Sequence, residues 1–119
     1  MLPLFVYGTL RRGHQNEFAR LLHGASDFVS MGRVRGKLYR IAHYPGCVED
    51  DGDGWVTGEI WRPRSELLQR LDEYEGAEYQ RVSRMIEMAE GPVECWVYLY
   101  VASIEGKPVI ESGDWVDGS

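Results

Sequence analysis

The chain has 119 residues, of which 44% are hydrophobic and 27% charged, and this balance predicts one soluble globular domain over residues 1–119. Its formal net charge of -6 argues against binding to nucleic acid, and no run of about 18 apolar residues predicts a membrane span. Two cysteines are too few for a disulfide framework, so we expect reduced thiols and a cytoplasmic location.

The first half of the chain is predicted to be mostly extended. Residues 4–8 form a short apolar run of β-forming residues, which predicts a buried strand leading into the basic, glycine-containing loop 9–13. Asn16 is a good N-cap for a short helix that we expect to stop at Gly24. The other predicted elements of this half are two strands, at 28–34 and 37–42, and a turn-rich loop at 43–54.

The second half predicts three more strands and one longer helix, at 55–61, 79–88 and 93–102 for the strands and 63–76 for the helix. Ser65 is the expected N-cap of this helix and Gly76 its C-terminal stop. The last strand is apolar on both faces, as a strand is when it lies between a filled interior and a covering element. Together the elements predict a β-rich α+β fold, a small closed barrel of about six strands with two or three short helices.

One residue of the longer helix is in an unexpected place. At about 100° per residue, Glu75 falls between Leu68 and Leu71 on the apolar stripe, in the last turn of the helix. Burial and the negative end of the helix dipole both disfavour its charged form, so we expect a raised pKa and a capacity for proton transfer. The alternative is a structural carboxylate whose head reaches water or pairs with Arg81.

Other candidate sites are weaker. The acidic loop 49–54 resembles a calcium loop but lacks the flanking helices and the ligands expected at its first and last positions. His43 and Cys47 could pair as base and nucleophile of a cysteine hydrolase, although a Pro-Gly loop does not fix their geometry. The histidines show no metal-ligand spacing, and no phosphate-binding or dinucleotide motif is present.

Gly8 marks the exit of the first predicted strand. A glycine here lets the backbone approach a ligand closely or adopt a φ angle closed to other residues, or it simply makes the turn. In the first two cases the amide groups that follow could point at a carbonyl or carboxylate oxygen.

Three motifs occur in order along the chain: FVYGTL at 5–10, followed by Arg11-Arg12-Gly13 and Asn16; YPG at 44–46; and LDEYEG at 71–76, followed by Tyr79 and Arg81. In this order and spacing the chain resembles the γ-glutamylcyclotransferase-like family, which includes the γ-glutamylamine cyclotransferases and the plant AIG2-like proteins. The resemblance implies a small mixed β-barrel. It also implies an enzyme that cyclises a γ-glutamyl group to 5-oxoproline and releases the attached amine, without metal or cofactor.

The same resemblance assigns roles to residues. It makes Glu75 the catalytic acid/base and places substrate against the loop formed by Tyr7, Gly8, Thr9 and Leu10. Four further residues could hold the substrate carboxylate or line the pocket, or could simply pack: Tyr79, Arg81, Tyr98 and Tyr100.

The expected partner is a small γ-glutamyl compound, with no nucleic acid or membrane, on a monomer or weak homo-oligomer. The leaving amine stays open among amino acids, lysine from cross-linked protein and acyl-carrier intermediates. A non-catalytic binding module on the same barrel is the alternative function.

Overall fold

The computed structural model describes residues 2–116, which contain seven strands and two α-helices. In chain order these are β1 (Leu4–Val6), α1 (Glu17–Gly24), β2 (Ser26–Arg35), β3 (Lys37–Arg40), β4 (Pro45–Val48), β5 (Trp55–Pro63), α2 (Ser65–Glu75), β6 (Tyr79–Met88) and β7 (Gly91–Tyr100). A single 3₁₀ turn, Gly76–Glu78, joins α2 to β6. No helix in this part of the chain is both long and apolar enough to cross a membrane.

Five of the strands close into a barrel in the order β1-β5-β2-β6-β7, with β7 pairing back to β1. The β1–β7 contact is parallel and the other four are antiparallel, so the barrel is mixed. β4 and β3 continue the sheet beyond β7. The predicted β-rich α+β fold with a small mixed barrel is confirmed.

The edge of β7 that faces β1 is shared between two strands. Trp96 and Val97 pair with β1, whereas Leu99 pairs with β4. β1 ends at Val6, and a side chain then bridges the break: the Tyr7 hydroxyl donates to the Tyr98 carbonyl at 2.6 Å and accepts from the Cys47 amide at 3.1 Å. We call this junction of β1, β4 and β7 the seam.

Hydrophobic residues form two layers, one inside the barrel and one between the barrel and the helices. Along β7, Cys95, Val97 and Leu99 face the interior, while Tyr98 packs outward with the leucines of α2. The prediction that this strand lies between a filled interior and a covering element is therefore confirmed. Because successive residues of a strand point to opposite faces, Tyr98 lies on the outer face of the barrel, where it contacts α2.

Two local predictions were wrong. The loop at 43–54 contains β4, because residues 45–48 pair with β3 along their length and Cys47 pairs with Leu99 of β7. Gly46 is needed there since a Cβ would come within 2.7 Å of the Tyr100 side chain. Ser65 is the first residue of α2 and not its N-cap: Arg64 occupies that position and makes no capping hydrogen bond through its side chain. By contrast, Asn16 caps α1 as predicted, accepting from the Ala19 amide at 2.8 Å.

Candidate active site

A cavity of about 380 Å³ lies at the seam, beside the C-terminal end of α2. This volume suits a small molecule. Fifteen residues line it: Phe5, Val6, Tyr7, Gly8, Thr9, Leu10, Asn16, His43, Tyr44, Pro45, Tyr74, Glu75, Glu78, Tyr79 and Tyr98. The lining joins the exit of β1, the start of β4 and the end of α2, three segments that are far apart in sequence.

Glu75 ends α2 and lies half-buried in the cavity wall. Among residues 2–116, none donates a hydrogen bond to its carboxylate or forms an ion pair with it. Burial raises the pKa of Glu75 to about 7, and repulsion by the Asp72 carboxylate adds to the shift. Near neutral pH both protonation states of this carboxyl group are accessible, which a group that accepts and returns a proton requires.

Arg81 does not pair with Glu75. Its guanidinium binds Asp72 through two hydrogen bonds, of 2.8 and 3.0 Å, and the Tyr98 hydroxyl donates to the same carboxylate at 2.7 Å. Burial alone would raise the pKa of Asp72, but these hydrogen bonds outweigh it and the pKa is lowered. Asp72 therefore stays ionised one helical turn before Glu75, and the pairing of Glu75 with Arg81 that the alternative allowed is not formed.

The loop after β1 presents backbone amides. In the described part of the chain, the N–H groups of Gly8, Thr9 and Leu10 have no hydrogen-bond partner. Gly8 does not have a positive φ; it is needed because a Cβ would lie 2.7 and 2.9 Å from side-chain atoms of Pro45. Close packing of the loop against β4 thus explains the glycine, and the three amides without a partner belong to residues that line the cavity.

A buried carboxylate that sequence reasoning missed anchors this loop. Glu59 is only 3% exposed, and its Oε1 accepts from the Arg12 amide at 2.9 Å and from the Trp61 indole at 3.2 Å. Its Oε2 lies 3.4 Å from Arg12 Nε and 3.8 Å from Arg11 Nε. The two arginines therefore hold the loop in place. The sequence feature that could have revealed Glu59 is that it is the one charged residue in the otherwise largely apolar strand motif WVTGEIW.

Two tyrosines of the cavity, Tyr7 and Tyr79, contribute shape and not free hydroxyl groups. The Tyr7 hydroxyl is used at the seam, and the Tyr79 hydroxyl donates to the Pro45 carbonyl at 2.6 Å. Burial raises the pKa of both phenols. Both rings hold the wall rigid while their hydroxyls stay neutral and occupied.

With this geometry in place, comparison with known proteins is decisive. The family model described as "Gamma-glutamyl cyclotransferase, AIG2-like" matches residues 4–117. The chain belongs to this γ-glutamyl cyclotransferase family.

Relatives within the family cover most of the chain. The γ-glutamylcyclotransferase family protein YtfP of Escherichia coli strain K12 is 35% identical over 118 residues, which are 98% of this chain and 97% of YtfP. The γ-glutamylaminecyclotransferase of Bos taurus is 32% identical over 115 residues, covering 82% of this chain and 65% of that protein. The crystal structure of a mouse AIG2-like protein matches with a TM-score of 0.81 at 28% identity, covering 100% of this chain and 90% of the other.

The residues that the family resemblance singled out do not all reach the cavity. Six of the eight site residues, and Tyr98 as well, line it: Tyr7, Gly8, Thr9, Leu10, Glu75 and Tyr79. Arg81 and Tyr100 do not. Arg81 is held by Asp72, and the Tyr100 ring is buried edge-on against Tyr79. These two residues pack beside the cavity and do not line it, and their direct contact with substrate stays a prediction.

The cysteine hydrolase alternative finds no support in the geometry. Cys47 is 0% exposed in the barrel interior, and burial raises the pKa of its thiol to about 12. His43 lies at the cavity, on the exposed side of the wall. A thiol that is neither ionised nor accessible cannot act as the nucleophile. Within residues 2–116, no three His, Cys, Asp or Glu side chains are grouped as metal ligands.

Proposed function

We propose that this protein cyclises the γ-glutamyl group of a small substrate to 5-oxoproline and releases the attached amine, with Glu75 as the general acid and base. One observation carries the proposal: a half-buried carboxylate without a protein partner faces a cavity whose wall also carries free backbone amides. The γ-glutamylcyclotransferase names of the relatives support the same reaction class.

The chemistry needs one positioned proton carrier. The α-nitrogen of the substrate attacks its own γ-carbonyl carbon, a C–N bond forms, and the bond to the departing nitrogen breaks. An α-ammonium loses two protons in becoming the lactam N–H, and the departing nitrogen gains two in leaving as an ammonium. The Glu75 carboxylate can carry these protons one at a time, since with a pKa of about 7 both its ionised and its protonated form are populated near neutral pH.

The rest of the site holds the substrate folded and stabilises charge. Because the attack is intramolecular, correct orientation alone can supply several kcal/mol of the barrier reduction. The rigid walls formed by Tyr7 and Tyr79 would restrict the substrate chain. The free amides of Gly8, Thr9 and Leu10 would bind the substrate carboxylate or the oxygen that becomes negative during attack.

The test is a panel of γ-glutamyl compounds with direct detection of 5-oxoproline. We expect wild-type turnover on at least one compound and a loss of about 100-fold or more for Glu75→Gln, which keeps the shape but cannot carry a proton. Glu73→Gln is the matched control because Glu73 is exposed on the same helix, and it should behave like wild type.

Two outcomes would contradict the proposal. Near-wild-type turnover by Glu75→Gln would exclude Glu75 as the acid and base. Tight 5-oxoproline binding without turnover of any γ-glutamyl compound would indicate the non-catalytic binding module.

A further inference from the structure

The directions of the free N–H groups in the loop after β1 depend on the directions of the carbonyl groups in the same peptide planes. The Thr9 carbonyl accepts a hydrogen bond from the Asn16 amide nitrogen at 2.7 Å. The other end of the same side chain, Asn16 Oδ1, accepts from the Ala19 backbone amide at 2.8 Å and caps α1. Asn16 therefore ties the loop to the start of a helix, using one atom for each task.

Peptide geometry links this hydrogen bond to the cavity. In a planar trans peptide the C=O of one residue and the N–H of the next point in opposite directions. Holding the Thr9 C=O towards Asn16 therefore directs the Leu10 N–H away from Asn16. That N–H has no partner among the described residues, and Leu10 belongs to the cavity wall.

Neighbouring peptide planes are fixed by other groups. The Gly8 carbonyl accepts from the Arg11 amide at 3.1 Å, and the Leu10 carbonyl lies 2.7 Å from His23 Nε2. Among the described residues, Asn16 alone binds the carbonyl of the Thr9–Leu10 peptide. Without it, no group among the described residues would hold this peptide plane in its present orientation, and the direction of the Leu10 N–H would no longer be fixed.

We propose that Asn16 is a positioning residue for the reaction: by binding the Thr9 carbonyl it keeps the Leu10 N–H available to the substrate oxygen that becomes negatively charged. This inference rests on the proposed function. Asn16 does not take part in proton transfer. Asn16 affects the reaction only by fixing the orientation of the peptide plane between Thr9 and Leu10.

The chain offers a substitution that separates the two tasks of Asn16. Serine caps a helix about as well as asparagine, and its hydroxyl is too short to cap α1 and reach Thr9 at once. Alanine removes both interactions. Asn16→Ser should therefore keep the helix and lose the loop contact, whereas Asn16→Ala should lose both.

We expect kcat/KM for 5-oxoproline release to fall about 10- to 100-fold in Asn16→Ser, mainly through kcat, because a donor to the developing oxyanion is misplaced. Its Tm should stay close to that of wild type, while Asn16→Ala should show the same loss of kcat together with a lower Tm. The acid limb of the pH profile should keep its apparent pKa in Asn16→Ser, since the surroundings of Glu75 do not change.

The inference and the proposed function fail in different ways. Wild-type kcat in Asn16→Ser, or losses of kcat that follow Tm across both variants, would overturn the positioning role. If wild type released no 5-oxoproline from any γ-glutamyl compound, the proposed function would fail. A crystal structure of Asn16→Ser decides the peptide orientation in either case: a turned Thr9–Leu10 peptide supports the role of Asn16, and an unchanged one overturns it.

Discussion

Two carboxylates near the cavity are both withdrawn from water, but their surroundings differ. Glu59 accepts hydrogen bonds from the Arg12 amide and the Trp61 indole and lies beside two guanidinium groups. Glu75 has no donor or cation from the described residues, and repulsion by the Asp72 carboxylate adds to the effect of burial on its pKa. Burial alone therefore does not separate a structural carboxylate from a chemical one, whereas the set of partners does.

The largest effect on stability is expected at Glu59. Glu59→Ala leaves the Arg12 amide and the Trp61 indole without an acceptor and removes the carboxylate beside the Arg12 guanidinium, so we expect a loss of about 3 kcal/mol in the free energy of unfolding. Urea denaturation measures this. Glu73→Ala, an exposed change on α2, should stay within about 0.5 kcal/mol of wild type. If Glu59→Ala and Glu73→Ala were equally stable, Glu59 would not be a structural carboxylate, and its contrast with Glu75 would fail.

A smaller effect of opposite sign is expected at Glu75. Its folded pKa of about 7 lies above the ordinary 4.5, so between these pH values the folded state binds more protons than the unfolded state. The contribution of Glu75 to stability therefore falls as pH rises through this window and is constant above it. Because the side chain is only partly buried, the cost is about 1 to 2 kcal/mol.

Glu75→Gln removes this cost, so its stability relative to wild type should be greater at pH 8 than at pH 5. Thermal melts of the two proteins at both pH values measure the difference. A variant that is clearly less stable than wild type at pH 8 would mean that Glu75 is a satisfied structural partner like Glu59.

The smallest expected effect is a shift in the pH profile of turnover. The kcat/KM should fall on the acid side with an apparent pKa near 7 as Glu75 becomes protonated. Asp72→Asn should move this limb to lower pH, because it removes a repulsive charge and releases Arg81. Glu66→Gln, at the exposed first turn of α2, should leave the limb in place. An unchanged limb in Asp72→Asn would show that Asp72 does not act on Glu75.

Sequence reasoning succeeded where the signal was local. The leucine stripe of α2 placed Glu75 towards the core, and the apolar residues on both faces of the last strand placed that strand between the barrel interior and a covering element. It failed where partners come from distant segments. Glu59 meets Arg12 across 47 residues, and β4 is a strand through its pairing with β3 and its contact with the distant β7. Helical periodicity also could not decide whether Arg81 would reach Glu75 or Asp72, since both lie on the same turn.

The hydrogen bonds of the Tyr7 hydroxyl at the seam have a consequence for local opening of the structure. β6 and β7 are joined by paired backbone residues along their whole length, so opening that ladder means separating two strands. At the seam a single phenol oxygen connects the Cys47 amide to the Tyr98 carbonyl, and its loss exposes both groups at once. Opening the junction at this point therefore breaks fewer hydrogen bonds than separating β6 from β7, so we expect amide exchange at Cys47 to be faster than along the β6–β7 ladder.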